Sequence, residues 1–299
     1  MRASRLPFLE VSRMTLNITV LTREAVFQSA DFRLTNAETG KLMDNNSQKV
    51  MNISYNRWGG LLTYTGLGKW GGKDAGVWLT EWLSEDSALT LDDVTKIITE
   101  RAYEVLSKLR SPKGDIFHHT FVIALFDEGR PCVVTVSTFE DLFSKPRSRA
   151  ILPLVVSKRM LRSTSQDALV VVTGQRQAVE RSHIRMLKRL GRNTPIDETE
   201  APRLIQAANV AASTRCESVS EDCAVAALFL DGRGRIDVTE NCTNPMFNRI
   251  MRGTNFGPLL REYIIKIGRD PDTVKMSGWA SAHRRPNVPV RPTAGGKRK

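Results

Sequence analysis

The chain has no run approaching the ~20 apolar residues that cross a bilayer as a helix, so no membrane span and no membrane partner are expected. Its opening, Met1 to Arg13, carries Arg2, Arg5 and Arg13 around one apolar patch, Leu6-Pro-Phe-Leu9, too short for the core of a signal peptide. The expectation is a soluble, cytoplasmic protein. Cysteine is scarce. Cys132, Cys216, Cys223 and Cys242 include no C-x-x-C pair, which argues against a disulfide framework and against the common zinc spacings. Adjacent His118 and His119 have no Cys or acidic cluster to complete a ligand set, so no metal is expected. There is no Gly-x-Ser-x-Gly elbow, no zinc-finger, homeodomain or RNA-recognition signature, and no internal repeat. The run Gly66-Leu-Gly68-Lys-Trp-Gly71 fits G-x-G-x-x-G, but no acidic ribose partner follows it in a βαβ unit, and no cofactor is expected.

What is present is an ordinary globular composition. The chain has 299 residues, 41% of them hydrophobic and 25% charged, enough to bury a full core in one large domain or two of modest size. The formal net charge of +12 is unevenly placed. Arg284, Arg285, Arg291, Lys297, Arg298 and Lys299 lie in a Pro/Gly-rich tail without acidic residues, a composition that cannot build a core and reads as disordered. Such a tail, residues 284–299, suits weak, salt-dependent contact with nucleic acid or an acidic partner.

Periodicity sets out the elements before it. Leu16, Ile18 and Val20 alternate with polar residues in a β-branched stretch from Thr15 to Thr22, which predicts a strand. Arg23-Glu24 is a polar turn, Ala25 to Ala30 returns as a second strand, and Asp31 and Arg33 end it. A polar hairpin from Asn36 to Gln48 leads to Lys49. Leu61 to Gly68 is a strand running into a small-residue turn, and Ala75 to Leu83 an apolar helix. A second helix opens at Asp92-Asp93-Val94, with Leu89-Thr90-Leu91-Asp92-Asp93 as its N-terminal cap. It carries Val94, Ile97, Ile98, Ala102, Val105, Leu106 and Leu109 at helical spacing, with Ser111-Pro-Lys-Gly114 as its stop.

Strands Thr120 to Phe126 and Cys132 to Val136 follow around a tight turn. Ala168 to Thr173 leads through Gly174 into a helix presenting Val179, His183, Met186, Leu187 and Leu190, and another, capped near Asp197 or Thr199, presents Leu204, Ile205, Ala208, Val210 and Ala211. Ala224 to Leu230 and Arg235 to Val238 close the pattern. Residues 239–283, with Tyr263-Ile264-Ile265 and Trp279, are expected to form an ordered extension. Strands, two helices, strands, two helices and strands again suit an α+β fold of two sheets between helical layers.

Thr15 followed by Ala30-Asp31-Phe32-Arg33, Lys49 and the Gly66 turn resembles the N-terminal nucleophile hydrolases, most closely proteasome β-type subunits and the bacterial HslV peptidase. The resemblance is good from Thr15 to about Leu83 and fainter to about Asp231. It implies a four-layer α-β-β-α sandwich of two antiparallel sheets between helical layers, residues 15–238. It also implies a threonine-type amide hydrolase, a peptidase, in which Thr15 attacks and its own α-amine accepts the proton.

The further site roles belong to the same implication. Lys49 lowers the proton affinity of the nucleophile, Asp31 holds Lys49, and Arg33 anchors the sheet edge. The Gly66 N–H steadies the oxyanion, and Glu217 and Ser220 stand where the family has Asp-x-x-Ser beside the threonine amine. The family's Gly-Ser-Gly turn appears here as Thr173-Gly174-Gln175, without its serine, and Arg13-Met14 lacks the glycine that precedes a self-released threonine. Residues 1–14 are therefore a propeptide or a misassigned start. Implied partners are a peptide or unfolded-protein substrate, a homo-oligomeric ring and an ATPase that feeds it. The alternative is a non-catalytic subunit or scaffold with an internal Thr15 and a basic binding tail.

Overall fold

A computed structural model describes residues 15–35, 41–44, 47, 49–70, 73–84, 88–109, 115–143, 147, 149–238, 249–251 and 254–255 of the chain. Strands β1 (Leu16–Leu21) and β2 (Ala25–Asp31) pair antiparallel, Ile18 opposite Ser29 and Val20 opposite Phe27, as the alternating pattern predicts. Two short strands, β3 (Leu34–Thr35) and β4 (Leu42–Asp44), form the following hairpin. Lys49 then leads into β5 (Val50–Ser54), which pairs with β6 (Gly59–Thr65). The small ribbon β7 (Lys69–Trp70) and β8 (Lys73–Asp74) delivers the chain to α1 (Ala75–Leu83).

Helix α2 (Leu91–Leu106) begins with a capping box: Thr90 accepts from the Asp93 N–H, and Asp93 accepts from the Thr90 N–H. Its expected stop at 111–114 lies outside the described residues; Ser107 caps it. Strands β9 (Thr120–Asp127), β10 (Arg130–Ser137) and β11 (Val155–Met160) form a meander. The third carries no strand signal in the sequence, because Lys158 and Arg159 fall within it and remove the apolar pattern. It can carry them because it is the outermost strand of its sheet.

Strand β12 (Leu169–Gly174) precedes a 3₁₀ turn at Arg176–Ala178 and helix α3 (Arg181–Arg189). The helix therefore starts two residues later than Val179 and Met186 is 38% exposed, but Val179, Leu187 and Leu190 of the expected face are buried together, with Ile184 packed beside them. Helix α4 (Glu200–Ser213) buries Ile205 and Ala208 but turns Val210 outward. Strands β13 (Cys223–Phe229) and β14 (Gly234–Val238) pair as a hairpin. Of residues 239–283 the described part is β15 (Arg249–Met251) and β16 (Thr254–Asn255), and β15 joins β5 in parallel, a departure from the expected antiparallel pairing. Tyr263-Ile264-Ile265, Trp279 and the tail lie outside the described residues, as do residues 1–14.

The architecture is mixed α/β with mainly antiparallel sheets. One sheet runs β12-β1-β2-β13-β14, the other β11-β10-β9-β6-β5-β15-β16. Three apolar clusters surround them. Leu79, Val94 and Ile98 of α1 and α2 pack on Leu62, Ile123 and Val134 of the larger sheet. Leu187 of α3 and Ile205 and Ala208 of α4 pack on Ile18, Phe27 and Val225 of the smaller sheet. Between the sheets, Leu21, Val26 and Ala226 meet Leu61, Val122 and Val133. Each fully buried Leu, Val, Ile or Phe contributes about 1.5–3 kcal/mol of transfer free energy.

The layer between the sheets changes character along its length. Strand periodicity puts Asn17 and Thr19 in the row of Leu21, Thr63 and Thr65 in that of Leu61, and Thr135 and Ser137 in that of Val133. All six are buried, 3% exposed or less, and the Gln28 amide crosses the gap to the Val122 carbonyl at 3.0 Å. One end of the seam is thus hydrocarbon and the other is hydroxyl and amide. The polar end lies next to Thr15.

Candidate active site

Asp31 is the last residue of β2, and the strand pairing brings it back to the start of β1. Its carboxylate accepts from the Leu16 N–H at 2.7 Å, the Arg33 N–H at 2.8 Å and Lys49 Nζ at 3.2 Å. Lys49 arrives from the opposite sheet, at the entry to β5. Its ammonium donates to Thr15 Oγ1 at 2.6 Å, to Asp31 Oδ1 and to the Arg33 carbonyl. An ammonium has three donors, and here all three are used. Both charged side chains are fully buried. Burial pushes the Lys49 pKa below its usual value, opposed by the Asp31 carboxylate and reinforced by Arg33.

The sequence-predicted residues Thr15, Asp31, Arg33 and Lys49 therefore meet at one edge. Arg33 also donates to the Glu217 carbonyl at 2.6 Å. That contact is made by the main chain; the Glu217 side chain is exposed. Ser220 is buried, its hydroxyl accepts from the Asp222 N–H at 3.1 Å, and its carbonyl accepts from Asn209 at 2.7 Å. These contacts tie Ser220 to α4 and its own loop rather than to Thr15.

Gly66 follows β6 with φ +103°, a left-handed conformation that favours glycine. A Cβ there would stand 2.2 Å from the His118 carbonyl oxygen. The next N–H, of Leu67, donates to His119 Nδ1 at 2.9 Å, which assigns the proton of that imidazole to Nε2. Burial pushes the His119 pKa down to about 3, so the ring is neutral. His118 and His119 immediately precede β9, and the first stacks on Phe139 while the second fastens the Gly66 turn.

The Thr15 main chain is held from the other side. The Gln175 N–H donates to the Thr15 carbonyl at 3.2 Å, and a Cβ on Gly174 (φ +77°) would stand 1.7 Å from that oxygen. Thr65, next to Gly66 in the chain, would touch the same Cβ at 3.2 Å, so the two glycine turns flank Thr15.

Against these residues stand the comparisons. No family model and no curated protein shows a significant match to the chain. Among solved structures the chain is similar to Anbu from Hyphomicrobium sp. strain MC1. The two share 12% identity at a TM-score of 0.48, over 88% of this chain and 99% of that one.

Two residues escaped the sequence reading. Glu140, 7% exposed, accepts from the Gly174 N–H at 2.9 Å, and burial pushes its pKa up to about 7. Gln175 links the Thr15 carbonyl to Ser218, whose hydroxyl accepts from the Gln175 amide at 3.2 Å. Phe139-Glu-Asp reads as surface loop, and nothing local marks Glu140. The only available signal at Gln175 is its place just after the missing serine.

Proposed function

We propose that the chain is a proteasome-like threonine-type amide hydrolase, a peptidase whose nucleophile is Thr15 once Thr15 is the first residue. The observation that carries this reading is the 2.6 Å contact from Lys49 Nζ to Thr15 Oγ1, with Asp31 as the buried counter-charge. With Oγ1 already accepting from an ammonium, its own proton is free to go to the α-amine, and the hydroxyl is the easier to ionise. Thr15 Oγ1 attacks the amide carbonyl carbon, the amine takes the hydroxyl proton, and that proton passes to the leaving nitrogen as the C–N bond breaks. Water then attacks the ester carbonyl, the amine takes a water proton and returns it to Oγ1 as the ester C–O bond breaks, and the carboxylic acid leaves with the threonine hydroxyl restored. In this reading the Gly66 N–H stabilises the oxyanion.

The three apolar clusters support the further proposal of a four-layer α-β-β-α sandwich, one cluster between each pair of adjacent layers. A ring of copies and an ATPase partner belong to the same proposal. A second reading, a non-catalytic subunit, has its own support: in the full chain Thr15 is 1% exposed, and an internal threonine has an amide nitrogen that cannot accept a proton. Intact mass identifies the mature N-terminus. Protein beginning at Thr15 is then assayed on fluorogenic peptide amides beside its Thr15→Ala variant. Turnover that disappears in the variant supports the hydrolase, whereas equal turnover ends the nucleophile assignment. A mature chain that keeps residues 1–14 supports the scaffold.

A further inference from the structure

The two sheets leave adjacent edges open. Among the described residues β12 pairs only with β1, and β11 only with β10, so each strand has one side without a neighbouring strand. On β12 the Gly174 N–H is taken by Glu140 and the Ala168 N–H before it by the Lys188 carbonyl, which leaves the stretch between them open. A groove runs along the β12 edge. On one side it is walled by α3, with Arg181, Arg185 and Lys188; on the other by the end of β11 and the turn after it, with Arg159 and Arg162. Arg176 and Lys188 border both stretches, and half-buried Val170, Val172 and Ile184 line the α3 side.

The groove carries an excess of positive charge over its carboxylates. Its three carboxylates are engaged already: Glu180 with Arg215 at 3.4 Å, Asp167 with Arg192 at 2.7 Å, and Glu140 with the Gly174 N–H. Among the described residues Arg159, Arg162, Arg176, Arg181, Arg185 and Lys188 have no carboxylate within 4.0 Å. Scattered surface cations would blunt an edge against pairing. Here they stand on both walls of a groove whose floor includes an open strand edge and aliphatic side chains.

We propose that this groove binds an extended acidic peptide segment of a partner protein, added as a further strand along β12. Successive side chains of such a strand point to opposite faces. Acidic residues on one face meet Arg181, Arg185 and Lys188, and those on the other meet Arg159 and Arg162. Between the engaged Ala168 and Gly174 N–H groups the added strand covers Leu169 to Thr173, about 17 Å at ~3.3 Å per residue. The chain's own tail does not fit, because residues 284–299 are basic and hold no acid. A peptide suits the site better than a nucleic acid because the floor offers backbone donors and acceptors with aliphatic side chains.

The test uses the full chain and short fluorescein-labelled peptides read by anisotropy. One repeats Glu-Glu-Val-Val, which puts acidic residues on both faces of a strand, one repeats Lys-Lys-Val-Val, and one is the acidic peptide N-methylated at alternate amides. The acidic peptide is expected to bind and the lysine peptide not. Arg185→Glu combined with Lys188→Glu, both exposed on α3, is expected to weaken binding by about tenfold or more with an unchanged melting curve. N-methylation is expected to weaken it similarly by removing edge donors. Absence of binding to the acidic peptide overturns the proposal, the charges then only blunting the edge. Unchanged affinity of the double variant, or equal binding of the N-methylated peptide, overturns it too. So does displacement of the peptide by oligothymidylate at lower concentration, which makes the groove a nucleic-acid site. Self-association abolished by the double variant overturns it as well, by making a second copy the occupant.

Discussion

Lys49 Nζ sits 2.6 Å from Thr15 Oγ1 and 3.2 Å from Asp31 Oδ1, with both charged side chains fully buried. Neither charge is tolerable alone in that setting. Lys49→Met leaves the Asp31 carboxylate buried without its counter-charge and is expected to cost about 3–5 kcal/mol of stability. Adding Asp31→Asn is expected to recover much of that loss, since the amide oxygen still accepts from a backbone N–H. Chemical denaturation of the two single variants and the double variant measures the coupling. Additive losses would mean that the pair is not a unit. In protein beginning at Thr15, Lys49→Met is also expected to lower kcat/KM by several orders of magnitude, and unchanged turnover would remove Lys49 from the mechanism.

Gly174 and Gly66 make a second prediction. Both have positive φ, and a Cβ on Gly174 would fall 1.7 Å from the Thr15 carbonyl oxygen. Gly174→Ala is expected to cost about 1–3 kcal/mol from the backbone conformation alone, with more from displacing Thr15. Gly66→Ala meets the His118 carbonyl oxygen at 2.2 Å and is expected to be comparably destabilising. Alanine at Gly59, whose Cβ would meet nothing closer than 3.5 Å, serves as the control. A melting temperature at either site equal to that control would contradict the described geometry.

How far the sequence foretells the fold follows from where each signal resides. Alternation at Leu16, Ile18 and Val20 is local, and so is the Thr90–Asp93 cap, so both were legible. Strand β11 was not, because an edge strand need not be apolar on either face and Lys158-Arg159 reads as loop. The meeting of Thr15 with Lys49, 34 residues apart, follows from the strand that returns Asp31 toward Thr15 and the hairpin that leads on to Lys49, while the resemblance supplies their chemical roles. Glu217 shows the limit of such transfer: its position approaches Arg33, yet through a carbonyl that any residue supplies. Glu140 is buried by tertiary packing alone, against a turn that precedes α3.

The Thr90 cap offers a smaller test of local energetics. Thr90→Ala removes the acceptor for the Asp93 N–H and is expected to destabilise by ~1 kcal/mol. The Asp93 carboxyl is held below its ordinary pKa by its bonds to Thr90, so it favours folding when ionised. That favourable contribution is present above the unfolded-state pKa and lost as pH falls through the lower folded value. The wild-type advantage over Thr90→Ala is therefore expected to shrink in acid, as thermal melts at neutral and acidic pH would read. A gap that widens in acid would contradict the cap.

Glu140 behaves in the opposite sense. Burial raises its pKa from 4.5 to about 7, so the folded chain binds this proton more tightly than the unfolded chain does. The favourable contribution of the protonated form is complete below the unfolded value and lost as pH rises through about 7. Glu140→Gln keeps a neutral acceptor for the Gly174 N–H and removes the titration. At about 1.4 kcal/mol per pKa unit, wild type is expected to lose up to ~3 kcal/mol relative to Glu140→Gln across that window. The difference between their melting temperatures should therefore change by several degrees between acidic and mildly alkaline pH and level off above it. Because Glu140 holds Gly174 against the Thr15 carbonyl, any turnover by the Thr15-first protein should lose a pH dependence near neutrality in the same variant. Parallel melting profiles for the two proteins would show that Glu140 titrates as an exposed carboxylate and that the Gly174 contact does not bury it.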